Sequence, residues 1–163
     1  KTHDFIIITG WASVGEHDFV PHIFKELGIK IKFNELAIQP GKPVSFASLN
    51  DKFCFGLSGN PVSSLIQFEV LVKPFIFHFM HHYYIPDVIM GELKNKMERK
   101  KADRLQFLTV RFDSSGLVEE IIFNGSAHIA GLTNIDGFGI FPQNCHVINE
   151  GDKIEILLLK WKN

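Results

Sequence analysis

The chain has 163 residues, a formal net charge of −1, 45% hydrophobic and 21% charged residues, which suits one ordinary domain or two small packed ones and excludes a disordered tail. So small a net charge sets up no global field that would draw nucleic acid or a membrane surface. Two cysteines, Cys54 and Cys145, lie too far apart for a metal-ligand spacing and read as reduced thiols of a cytoplasmic protein.

Residues 5–9, Phe-Ile-Ile-Ile-Thr, predict a buried strand. The apolar run is too short for export or membrane spanning. A strand so close to residue 1, with no initiator methionine, raises the expectation of a portion of a longer chain. A glycine-bearing loop, 10–18, comes next. Residues 19–27 predict a helix, with Val20, Ile23, Phe24 and Leu27 at helical spacing and Gly28 as its stop. Residues 29–38 predict a strand, and 39–43 a loop. Residues 44–49 and 52–57 predict a hairpin about Asn50-Asp51. After a loop at 58–60, Pro61 opens a long apolar helix to about residue 83, kinked near Pro74.

Beyond Ile85-Pro86-Asp87 the pattern changes to strands, at 105–112, 117–123, 137–141 and 153–160, separated by turn residues. The expected fold class is α/β followed by a small all-β barrel, with domains at 1–85 and 86–163. Residues 94–101 hold five basic residues and one acidic one. Without interleaved aromatics this run reads as a solvated connector rather than a nucleic-acid patch. His78, His81 and His82 share a helix face, but no acidic or cysteine partner adjoins them, so a metal site is not expected there.

Three loops carry the candidate chemistry. In an open α/β sheet ligands collect beyond the carboxyl ends of the strands, and each loop follows a predicted strand. In the first, Gly10, Ser13 and Gly15 let the backbone approach an anion at the start of a helix. Glu16 and Asp18 place carboxylates there, a combination that calls for a divalent cation such as Mg²⁺. Alternatively, Asp18 simply caps the helix. In the second, Pro40, Gly41 and Pro43 stiffen a turn that holds Lys42, an ammonium suited to a tetrahedral oxyanion or to solvent alone. In the third, Gly59, Asn60 and Pro61 lead into a helix with Ser63 in its first turn, near the free N–H groups.

The order TG-x-x-SVGE-x-D, PGKP, GL-x-GNPVS resembles that of the molybdopterin molybdenumtransferases. The strand Arg104-Leu105-Gln106-Phe107-Leu108, the turn Gly125-Ser126-Ala127-His128 and the strand at 137–142 resemble that family too, so the likeness spans essentially the whole chain. It implies a partial three-layer molybdopterin-binding domain, of the fold shared with the molybdopterin adenylyltransferases, followed by a C-terminal β-barrel. It also implies a homodimer that takes adenylylated molybdopterin and molybdate, with Mg²⁺, and releases AMP. No nucleic acid or membrane partner is expected.

Carried over by position, Asp18 matches the acidic residue linked to catalysis and metal. Lys42 and Pro43 match the molybdate end of PGKP, and Ser63 the serine at the same anion. Gly10, Ser13 and Gly15 match the pterin-phosphate loop, and Arg104 a barrel arginine that completes the site. The sequence departs from the pattern at Trp11 (usually glycine), Gln39 (usually lysine), Ser58 (usually proline) and Thr109 (often arginine). This portion alone is expected to be inactive. The alternatives are a non-catalytic scaffold of the same fold and, less favoured by the strands after residue 87, an adenylyltransferase.

Overall fold

The computed structural model describes residues 3–10, 23–24, 26–122 and 129–159. The chain divides into two units. The first comprises Lys1–Leu36 and Pro40–His82, the second Ala37–Gln39 and Tyr83–Asn163.

The first unit is a four-stranded mixed sheet built from β1 (Phe5–Thr9), β2 (Lys30–Glu35), β4 (Pro43–Leu49) and β5 (Lys52–Leu57), in the order β1-β5-β4-β2. β1 runs parallel to β5, while β4 is antiparallel to both β5 and β2. The β4–β5 hairpin closes on the pair Leu49–Lys52, with Asn50 in the left-handed region at φ 51°, a conformation asparagine tolerates. Period-two alternation sorts the side chains. Val44, Phe55 and Leu57 face one apolar cluster, and Ala47 and Cys54 face another with Phe24. Burial pushes the Cys54 thiol above its ordinary pKa, which keeps it protonated and inert. β1 departs from the expected buried strand. It lies at the edge of the sheet, and Ile6 and Ile7 remain 57% and 36% exposed.

Helix α1 (Pro61–Phe79) packs on the first face through Val72 and Phe75. Phe75 meets Phe53 and Phe55 edge-on, with centroids 4.9 and 5.0 Å away. Burying a residue such as Val72 or Phe55 completely is worth about 1.5–3 kcal/mol relative to exposure. By length and composition α1 could cross a membrane, but Ile66 and Val72 lie fully buried in the protein. The kink expected at Pro74 takes the form of a π-turn over Phe68–Val72. Pro74 has no N–H to offer the carbonyl four residues back, and its ring would strike that carbonyl. The N–H of Lys73 reaches instead to Phe68 O, five residues back. The expected strand at 29–38 breaks in two. Register shifts interrupt β2 between Ile31 and Phe33 and again before Glu35. Leu36 N–H then donates to Lys42 O at 2.9 Å, and β3 (Ile38–Gln39) leaves for the second unit. At the end of the earlier helical turn Gly28 takes φ 68° and Ile29 N–H bonds Phe24 O at 2.7 Å, a glycine stop of the expected kind.

The second unit is all β. Its main sheet runs β3-β8-β10-β12-β6, where β6 is Val88–Glu92, β8 Leu105–Phe112, β10 Gly137–Phe141 and β12 Lys153–Leu158, and β9 (Val118–Glu120) pairs with the far end of β8 on the same edge as β3. Just past β6, Leu93 bridges Val118 in parallel and Lys94 N–H donates to Val118 O at 2.9 Å. That bridge closes the ring β9-β8-β10-β12-β6 into a small barrel around Leu93, Val110, Val118, Phe141, Ile154 and Ile156. Gly91 faces this core. A Cβ there would lie 2.4 Å from Ile156 Cδ1 and 2.5 Å from Val118 Cγ2. A short ribbon pairs β7 (Met97–Glu98) with β11 (Val147–Ile148).

The basic run at 94–101 is only partly a solvated connector: Lys96, Lys100 and Lys101 are exposed, whereas Lys94 and Arg99 are tied into the barrel. Lys94 Nζ lies 2.9 Å from Asp113 Oδ2 and 3.2 Å from Glu119 Oε2. Met97 is buried. Arg99 donates Nε to Cys145 O and Nη1 to Arg104 O, both at 2.8 Å, and Nη2 to Pro142 O, while its guanidinium lies 4.5 Å from the centre of the Phe141 ring. Planar, five-donor geometry suits arginine to this task.

Candidate functional site

Sheet topology brings three loops to one end of the first unit. β1 and β5 are parallel and end together at the pair Thr9–Leu57, so Gly10 and Ser58 leave the sheet side by side. β4 is antiparallel to β5, so its first residue, Pro43, lies at the same end. The lysine turn thus reaches the site at the amino end of its strand, not at the carboxyl end. The strand before it, β3, pairs in the other unit.

Close backbone approach accounts for the glycines. A Cβ on Gly59 would lie 3.1 Å from Gly10 Cα, tighter than ordinary packing allows, and Gly10 holds φ 90°. Gly41 holds φ 104° and faces Gln67, whose Cγ and Nε2 would lie 3.3 Å from an added Cβ. Gln67 is completely buried on α1. Its Nε2 donates to Gly41 O at 2.8 Å and Pro43 O at 2.7 Å, and its Oε1 accepts Ser58 N–H at 2.8 Å.

The third loop is a capped helix start. Asn60 has extended dihedrals, and its Oδ1 accepts Ser63 N–H at 3.1 Å. Pro61 opens the helix, where its missing N–H costs nothing. Ser63 is buried, and its hydroxyl donates to Asn60 Oδ1 at 3.3 Å. Ser58 Oγ accepts Asn60 N–H at 3.2 Å.

Lys42 carries the site's described positive charge to the surface. Its Nζ lies 3.0 Å from Glu35 Oε2, with the two side chains 47% and 63% exposed. An exposed pair of this kind is worth about 0–1 kcal/mol, so the ammonium can exchange partners at little cost.

Gly10, Gly41, Lys42, Pro43, Gly59, Asn60, Pro61 and Ser63 thus all belong to the first unit, at one end of its sheet. Arg104 belongs to the second unit. Its Nε donates to Asp103 Oδ2 at 3.1 Å and holds that carboxyl below its ordinary pKa. Ser13, Gly15, Glu16 and Asp18, with Trp11, lie outside the described residues. Among the described residues no group of three His, Cys, Asp or Glu side chains could hold a metal ion. Of the departures, Gln39 lies in β3, paired with Gln106. Thr109 is buried, with its hydroxyl on Ile121 O at 2.5 Å. The sequence motifs point to neither Gln67 nor Glu35. Gln67 shares its helix face with Ser63 and Ser64, one turn earlier, and nothing in the sequence set it apart from them.

Residues 1–78 match the family described as "Probable molybdopterin binding domain", and residues 92–159 the family described as "MoeA C-terminal region (domain IV)". Molybdopterin molybdenumtransferase of Bacillus subtilis is 30% identical over 166 residues, covering 100% of this chain and 39% of that protein. The protein of the same name in Staphylococcus aureus is 28% identical over 97% of this chain and 38% of its own length. Among solved structures, a molybdopterin biosynthesis MoeA protein from Pyrococcus horikoshii aligns with TM-score 0.78 and 29% identity, covering 96% of this chain and 37% of that one. A molybdenum cofactor biosynthesis protein from Pyrococcus furiosus, 18% identical with TM-score 0.70, shares the fold. The chain spans under two-fifths of the curated relatives it matches.

Proposed function

We propose that the chain belongs to the molybdopterin molybdenumtransferase family, given the matches at residues 1–78 and 92–159 and the likeness to proteins of that name, and that the protein containing it transfers molybdenum from molybdate to adenylylated molybdopterin, releasing AMP. The observation that carries this reading is the gathering of the glycine loop at Gly10, the lysine turn and the capped start of α1 at one end of one sheet. Molybdate is a dianion, so its site calls for an ammonium, hydroxyls and N–H donors rather than carboxylates. Lys42 supplies the charge and exchanges Glu35 for the anion. Ser63 supplies its hydroxyl, which turns from Asn60 Oδ1 to the anion, with the positive end of the helix behind it. Gly10, Ser13 and Gly15 receive the pterin phosphate, the small residues at these three positions letting backbone N–H groups approach it.

Asp18, with Glu16 two positions earlier in the sequence, serves the cleavage of the phosphate bond to AMP. A Mg²⁺ ion held there would neutralise charge that develops on the phosphate oxygens. The working form is a cytoplasmic homodimer with no nucleic-acid or membrane partner. A barrel matching the MoeA C-terminal region favours this reading over the adenylyltransferase.

Titration of molybdate and of adenylylated molybdopterin into the full-length protein, followed by AMP release, tests the proposal. Lys42→Met should weaken molybdate binding about 10- to 100-fold, the loss expected for a hydrogen bond to a charged group. Asp18→Ala should abolish AMP release with no change in circular dichroism. A full-length protein that binds neither ligand would sink the enzyme reading in favour of a scaffold of the same fold.

A further inference from the structure

Gln67 uses its whole carboxamide on the two loops. The Ser58 N–H can only donate, and the carbonyls of Gly41 and Pro43 can only accept, so the orientation of the amide is settled by its partners. The two carbonyls flank Lys42 in sequence, at 2.8 and 2.7 Å from Nε2, and the N–H on Oε1 opens the turn that leads to Asn60 and Ser63. Gln67 is wholly buried, and its bonds to Ser58 and Gly41 are buried with it, while the bond to Pro43 is part-buried. The Lys42 side chain, by contrast, has an exposed carboxylate as its partner. The backbone on either side of Lys42 is pinned while its ammonium is held only by an exposed ion pair. The arrangement also depends on Ser58. A proline at that position would have no N–H to offer.

We infer that Gln67 is a positioning residue for the anion site, setting where the Lys42 ammonium stands relative to the Asn60–Ser63 turn. The inference rests on the reading that Lys42 meets molybdate. A buried carboxamide with both donors and its acceptor engaged across two loops fixes their separation more sharply than apolar packing, because each bond has a length and a direction.

The test uses the full-length protein. Gln67→Met keeps the volume but leaves one N–H and two carbonyls without partners. The KM for molybdate should rise about tenfold, while kcat at saturating molybdate and the KM for adenylylated molybdopterin stay unchanged. Amide hydrogen exchange at Ser58 should accelerate while the paired amides of Phe46 and Phe55 keep their protection. Gln67→Glu keeps shape and acceptor but turns an oxygen toward both carbonyls, and should raise the molybdate KM further. A fall in kcat with both KM values unchanged would overturn the inference, as would a loosened Ser58 amide with unchanged molybdate KM. Wild-type protein that does not turn over molybdate would refute the functional reading instead. The exchange experiment stands apart from that result, and a Ser58 amide still protected in Gln67→Met would refute the tie itself.

Discussion

At the scale of single residues, charge placement gives the sharpest expectation. Lys94 lies between Asp113 and Glu119. Its hydrogen bond to Asp113, followed by that to Glu119, raises the pKa of Lys94. Asp113 is held below its ordinary value first by that same bond, and Glu119 first by Arg111 and then by Lys94. A depressed carboxylate stabilises the fold fully above its unfolded pKa of about 4, and the contribution disappears as pH falls through the lower, folded value. The raised lysine acts in the opposite sense, contributing fully below about 10.4 and losing its effect as pH rises through the folded value. In Lys94→Met the Asp113 carboxyl should therefore titrate closer to its ordinary value by NMR. The acid limb of the stability profile should flatten as well. An Asp113 titration identical to wild type would refute the assignment. None of this was legible in the sequence. The run at 94–101 looks like solvated charge because its partners lie well along the chain, and Arg99 in the same run meets its carbonyls only after the barrel has closed.

At the scale of elements, periodicity found the strands at Phe5–Thr9, Lys52–Leu57, Leu105–Phe112 and Gly137–Phe141 with their observed bounds. It found α1 as well, and Pro74 marked the irregular turn. Periodicity missed β6, because Val88, Ile89 and Met90 are exposed in succession and carry no two-residue alternation. Yet β6 closes the barrel, and Gly91 is the residue that lets it approach. Gly91→Ala should cost about 1–3 kcal/mol, since the added methyl cannot be accommodated without moving Ile156 and Val118. Chemical denaturation of the whole chain measures this. A ΔΔG near zero would mean that the barrel relaxes around the methyl group.

At the scale of the whole molecule, the two units are not consecutive in sequence. Ala37–Gln39 lies within the span of the first but belongs to the second, where β3 pairs with Leu105 and Gln106 of β8. Ile38 is buried. Ile38→Ala should remove about 2 kcal/mol, the low end for deleting a buried isoleucine side chain. The loss should appear as faster amide exchange at Leu105 in the second unit, with the β4–β5 hairpin unaffected. Faster exchange in the hairpin and an unchanged Leu105 would contradict the assignment of β3.

The sequence by itself determined the class of each half, the spacing of the three loops and the family they resemble. Those depend on short-range signals: two- and 3.6-residue periodicity, glycine and proline at turns, and fixed motif order. Tertiary structure alone decided which end of which strand presents the lysine turn, that Glu35 pairs with Lys42, and that Gln67 joins the turn to the start of α1. A hydrogen bond from a helix residue to a loop 24 to 26 positions earlier leaves no periodic trace. Its partners are backbone carbonyls, which every residue carries.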